Sequence, residues 1–197
     1  MLRQLALLAL SLALSLGASI ALTGCGVLFG NVKPLAERSE DYQILDLSKN
    51  SQDWEKIPSS DPASGVDPEE PQSTGASDVS FQARKDPSII SLNSSCRERV
   101  RSSSKDLKGF TRELLLGITD VASRTERELA LQSQPALETT VQGRMASGPG
   151  QPEPVKIRVV VLRKDECVYD LMYISRPELF AAHEPDFSRF IESLRLR

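Results

Sequence analysis

Val155-Lys156-Ile157-Arg158-Val159-Val160-Val161-Leu162 decides the fold class. The apolar residues at 155, 157, 159 and 161 point to one side of an extended chain, and Lys156 and Arg158 to the other. That is the two-residue period of a strand, not the 3.6-residue period of a helix. The tetrad Arg163-Lys164-Asp165-Glu166 is polar and short, as a hairpin loop is. Residues 167–174 then read as a return strand, with Cys167, Leu171 and Tyr173 on one face. Two strands joined so tightly pair antiparallel.

Working outward, residues 128–132 and 136–142 read as two more strands with Pro135 at their junction. A Gly- and Pro-rich loop over 146–154 separates them from the central strand. Upstream, Leu107, Phe110, Leu114 and Ile118 recur at helical spacing. Ser102 to Ser104 offer N-caps, Asp106 follows Ser103 by three as in a capping box, and Gly117 fits the C-terminal turn. Gly109 inside this helix costs about 1 kcal/mol against Ala, which predicts close packing there. Still earlier, 78–83 alternates as a half-buried strand, Asp86-Pro87 marks a turn, and 88–96 forms a strand with Ile90, Leu92 and Cys96 on one face. Residues 42–47 and 54–57 have β character. At the C-terminus, Phe187, Phe190, Ile191 and Leu194 form an amphipathic helix with Pro185 near its first turn. Arg195 and Arg197 sit at its negative pole. This order predicts an α+β domain: an antiparallel sheet with one helix packed on it mid-chain and a closing C-terminal helix.

The domain is expected over 42–197. Within it, 58–77 carries four prolines among Ser, Gly, Asp and Glu, with Val66 nearly its only bulky apolar residue. Such a stretch buries too little surface to offset its ordering entropy, so it reads as a disordered insertion. Net charge is −3 and the sequence pI is near 5.4, where a nucleic-acid binder would carry a basic stripe. Arg97, Arg99 and Arg101 are diluted by Glu98 and read as a solvated turn. Nucleic acid is therefore not among the expected partners.

The first 25 residues place Arg3 before a Leu- and Ala-rich run of about 18 residues, long enough for a helix to cross a membrane core. The run ends in Leu22-Thr23-Gly24-Cys25. This resembles a bacterial lipoprotein signal peptide closed by a lipobox, with residues 1–24 removed and 25–41 left as a lipidated N-terminus and tether. A permanent membrane anchor is the competing reading. Against it stand the small residues of the cleavage site and the lack of a Lys/Arg cluster after Cys25. The resemblance implies that Cys25 carries two or three acyl chains, enough for stable membrane attachment where one chain is marginal. It implies an envelope location facing the periplasm, with Gly26 after the cysteine favouring the outer membrane.

Cys96 and Cys167 remain. In an oxidising compartment two such thiols tend to pair, and two buried free thiols are the alternative. No Cys-x-x-Cys spacing suggests a metal, and no cofactor motif is present: Gly148-Pro149-Gly150 lacks the spacing and the Lys of a phosphate loop. His183, next to Glu184, lacks any nucleophile-elbow pattern and reads as a loop histidine. Asp170, between Tyr169 and Leu171 in an apolar strand, is the candidate binding residue. Buried there it needs a hydrogen-bond donor or a raised pKa, and pinning a loop or helix end is the structural alternative.

Trp54, Asp78-Val79, residues 90–96, Leu114-Leu115-Leu116-Gly117, residues 167–171 and 187–193 together resemble uncharacterised envelope lipoproteins of deltaproteobacterial-type bacteria. The order of elements resembles the photosystem II extrinsic subunit P and the Mog-type Ran-binding proteins. That resemblance implies a sheet-and-helix module that binds partners without catalysis. The expected function is a non-enzymatic lipoprotein docking on an unidentified envelope protein. A small-ligand or lipid carrier is the alternative, and a hydrolase a more distant one.

Overall fold

The computed structural model describes residues 32–33, 38, 41–59, 76–96, 106–146 and 151–197. The signal segment, Cys25, the Arg97–Arg101 run, the Ser102–Ser104 caps and residues 60–75 of the proposed insertion lie outside the described residues. The elements are β1 (Tyr42–Gln43), α1 (Leu47–Asn50), β2 (Trp54–Lys56), β3 (Val79–Ala83), β4 (Ile89–Cys96), α2 (Leu107–Leu114), β5 (Ile118–Leu131), β6 (Gln134–Met145), β7 (Glu153–Lys164), β8 (Cys167–Ser175), α3 (Phe180–Ser193) and β9 (Arg195–Leu196).

A seven-stranded antiparallel sheet runs in the order β2-β3-β4-β8-β7-β6-β5, and β1 pairs with β9 in a separate ribbon. The chain lays down β2 to β4 and crosses in α2 to the far edge. It then returns through β5, β6 and β7 so that β8 seals against β4. The fold is α+β, as expected from the order of elements.

The expected alternation of β7 holds, and both of its faces are covered. Val155, Ile157, Val159 and Val161 lie in a core with Val168, Met172 and Ile174, against which Leu107, Phe110 and Leu114 of α2 pack. Val160 and Leu162 belong to the opposite core, beneath Phe180, Phe187, Phe190 and Ile191 of α3. A sheet buried on both faces reads as near-continuous apolar runs, which is why Val159 to Leu162 are all apolar.

Several boundaries differ from the sequence expectation. Residues 42–47 give only a two-residue strand, because Leu47 opens α1 under the cap of Asp46, whose side chain accepts from the Ser48 N–H. The helix expected to reach Ile118 stops at Leu114, and Ile118 begins β5. Its cap is Asp106 itself, whose carboxylate accepts the Gly109 N–H. α3 starts at Phe180, so Pro185 lies inside it and not in its first turn. The added turn is held by packing: the Phe180 and Tyr173 rings lie 4.6 Å apart, and Tyr173 Oη donates to the Phe180 carbonyl at 2.9 Å. Asp78 and Ser80, expected on a solvated face, are fully buried.

The β5–β6 hairpin has one irregularity. Asp120, Val121 and Ala122 stand against Gly143 alone, and Asp120 has φ 46°. A Cβ on Gly143 would sit 2.6 Å from the Thr119 carbonyl oxygen, so the bulge needs a glycine there.

Candidate functional site

Polar groups cluster in two places: at the β4–β8 seam, and where α3 meets the β3–β4 turn. At the seam, Cys96 and Cys167 face each other across the two strands and are bonded, with Cα atoms 4.1 Å apart. The bond joins the β2–β4 half of the sheet to the β5–β8 meander, and it closes a loop of 71 residues. Asp41 lies close enough that its carboxylate and the two sulfurs fall within 4.8 Å of one another. Both sulfurs are committed to the disulfide, so this trio supplies no thiolate to a metal.

Asp170 lies directly across from Asn93 on the same pair of strands, three positions from the disulfide. It is buried, and Asn93 Nδ2 donates to its Oδ2 at 2.9 Å. Burial pushes the Asp170 carboxyl up to about 7, against the lowering effects of the Asn93 hydrogen bond and the Lys33 charge. Asn93 Oδ1 is buried with no hydrogen-bond partner among the described residues. Asp170 thus pins two central strands from inside the sheet and does not reach solvent, which favours the structural reading over a ligand contact.

Beside it, sequence reasoning missed a buried ion pair. Lys33 Nζ donates to Asp78 Oδ1 at 2.7 Å and to the Ser94 carbonyl at 2.6 Å, and Ser94 Oγ donates to Asp78 Oδ2. Burial, and next the Asp78 charge, push the Tyr42 hydroxyl well above its ordinary pKa. Val32 is buried and bridges to Ser77. The segment 25–41, expected to be a tether throughout, is therefore seated on the domain at Val32 and Lys33. The aspartate needed a cation once β3 was covered on both faces, and the nearest one comes from 45 residues upstream.

At the second cluster, His183 Nε2 lies 2.8 Å from Asp86 Oδ2. Its Nδ1 is 3.7 Å from Asp186 Oδ2, and the ring stands edge-on to Trp54 with centroids 5.0 Å apart. Burial would raise the Asp86 carboxyl, but hydrogen bonds from Ser88 and His183 hold it below its ordinary value. A carboxylate only accepts, so Nε2 carries the proton. Glu184 turns away from this ring toward Arg158, at 3.6 Å. His183, expected in a loop, is helical and clasps α3 to the β3–β4 turn. The sequence signal was Asp86-Pro87, read only as a turn.

No protein-family model and no curated protein matches the chain. Eighteen chains of solved structures are similar to it, among them the two that follow. One is a Pseudomonas aeruginosa protein of unknown function, 12% identical, with a TM-score of 0.41 over 82% of this chain and 88% of that one. The other is the cyanobacterial PsbP of Synechocystis, 13% identical, with a TM-score of 0.43 over 93% of this chain and 99% of that one.

Proposed function

We propose that the chain is a membrane-anchored envelope lipoprotein held by acyl groups on Cys25, whose α+β domain docks on another envelope protein without catalysing a reaction. The observation that carries this reading is the seating of Lys33 on Asp78 and Ser94. Lys33 lies eight chain steps after Cys25, and an extended chain spans at most about 3.5 Å per step. An acylated Cys25 would thus hold the Asp78 side of the domain within roughly 28 Å of the bilayer. A short leash of this kind suits a module that works on a membrane-bound neighbour. The disulfide supports the location, since such bonds persist outside the reducing cytoplasm. Among the described residues, no helix is long and apolar enough to cross a membrane.

The space between sheet and α3 is filled by Trp54, Phe81, Tyr173, Phe187 and Phe190, all fully buried. A carrier needs an apolar pocket of about 300 Å³ or more at such a place. The packing therefore favours docking through the surface over carriage in the core. The test is expression of the intact protein and Cys25→Ser in a bacterium, followed by membrane fractionation and chemical crosslinking. The reading expects the intact chain in the membrane fraction with residues 1–24 removed, acyl groups on Cys25 and a reproducible protein adduct, and Cys25→Ser to be neither acylated nor cleaved after Gly24. A Cys25→Ser protein still cleaved after Gly24 and held in the bilayer, a mature chain without acyl groups, or a lipid co-purifying non-covalently in stoichiometric amount, would overturn it.

A further inference from the structure

Among the described residues, the least covered element is β5. Every residue from Thr119 to Glu128 is exposed, and the strand forms the outer edge of the sheet. An edge strand leaves alternate N–H and C=O groups unpaired, which is a template for a further strand. Beyond the bulge, Ser123 to Leu131 pairs with β6 in unbroken register, so its outer side is regular as well.

We infer that this edge pairs with the same edge of a second copy, antiparallel, about a twofold axis through Thr125. The charges select the partner and the register. Arg127 is turned to Glu138 at 3.0 Å, and Glu128 lies 3.7 Å from Lys108, both within the chain. Arg124 and Glu126 sit on one face, where Nε and Nη2 of the arginine donate to Oε1 of the glutamate at 3.0 and 2.8 Å. A twofold through Thr125 places Arg124 opposite Glu126 of the second copy, and Glu126 opposite its Arg124. The result is a closed ring of four alternating charges, with Thr125 facing Thr125. Moving the axis to Glu126 brings Arg124 opposite Glu128 but sets two carboxylates face to face at the axis itself. Moving it midway between Thr125 and Glu126 sets Arg124 against Arg127. Of these three alignments, the one through Thr125 alone opposes unlike charges with no like pair across it.

Opposite charges directly across strands favour pairing, and like charges oppose it. An interface of so few residues belongs with weak, transient contacts, so a dimer in concentration-dependent exchange with monomer is expected. The inference does not depend on membrane anchoring or on any other partner.

Sedimentation velocity on the full-length protein in mild detergent tests it, together with cysteine crosslinking. A concentration-dependent dimer is expected. Arg124→Glu should weaken it at least about tenfold, because both copies of the pair become like-charged. Arg124→Glu with Glu126→Arg should restore it, since the swap rebuilds the ring. Thr125→Cys should form a reducible dimer and Ser123→Cys should not. Both positions are exposed, so folding survives the substitutions. A chain that stays monomeric at every concentration, a dimer indifferent to Arg124→Glu, or equal crosslinking at 123 and 125 would each overturn the inference.

Discussion

Trp54 Nε1 donates to Asp186 Oδ2 at 2.9 Å, joining the first strand of the large sheet to the closing helix across 132 residues. The same carboxylate is bonded by Arg189 and approached by His183. Burial would raise its pKa, but the Trp54 and Arg189 hydrogen bonds hold it below the ordinary value. A hydrogen bond to a charged acceptor is worth about 1.5–3 kcal/mol. Asp186→Ala should therefore lower stability by about that amount in urea unfolding followed by circular dichroism. Trp54 is the single tryptophan. Its emission should shift in the folded variant, because the indole loses its charged partner.

Asp170 gives a pH dependence with a defined sign. Its folded-state pKa, about 7, lies above the unfolded value near 3.9. Between those values the folded chain holds a proton that the unfolded chain has released, so stability falls as pH rises from about 4 to about 7 and then levels off. Asp170→Asn cannot ionise, and its amide can donate to the orphaned Asn93 Oδ1. The variant should be more stable than the parent at pH 8, on the order of a few kcal/mol, and the gain should shrink toward pH 4. Denaturant melts at both pH values check this. An equal difference at both would assign the effect to packing.

The sheet's centre was legible in the sequence because burial imposes a pattern there. Val155 to Leu162, Ile90 with Leu92, and Phe81 with Val79 carry the period of their strands. The first half of β5 was not legible. Thr119 to Glu128 face solvent on both sides, so no apolar period marks them, and their conformation comes from pairing with β6. Ile118 extended the helical spacing by chance, since a residue four beyond Leu114 also suits the first position of a strand. Asp170 stood out as an acid within an apolar run. Its neighbours Lys33 and Asp78 did not, because the contact joins residues far apart in the chain, and spacing along a sequence reports only local geometry.

The turn between β5 and β6 is formed by Gln132 and Ser133, with φ of 53° and 61°. Two positive φ values in a two-residue loop define the hairpin turn that favours Asn-Gly, and neither resident side chain is suited to it. Replacing the pair by Asn-Gly should stabilise the protein by about 0.5–1 kcal/mol, with an unchanged midpoint slope in urea. Gly143→Ala should act in the opposite sense, because its Cβ has no room beside Thr119 and Ile118.

Removing the disulfide tests the seam. The loop of 71 residues that it closes contains the whole α2 crossover and the β5–β7 meander. Chain-entropy arguments give a stabilisation of roughly 4 kcal/mol as an upper figure. Cys96→Ala with Cys167→Ala should lower the unfolding free energy by up to that amount, and reduction of the parent protein should mimic it. The paired strands remain hydrogen-bonded from Ile89 to Cys96, so the variant should still fold.

Lys33 offers the sharpest test of how the segment after Cys25 is attached. Asp78 is fully buried, and Lys33 is its one ion-pair partner among the described residues. Removing one member of a buried pair leaves an uncompensated charge and typically costs about 3–5 kcal/mol, whereas replacing both by neutral groups costs far less. Lys33→Met should thus be strongly destabilising. Lys33→Met with Asp78→Asn should recover much of the loss, since Ser94 Oγ can still donate to the amide oxygen. A double-mutant cycle from urea melts measures the difference. Simple additivity of the two changes would mean that Lys33 is not held by Asp78, and that the chain near residue 33 is free of the domain.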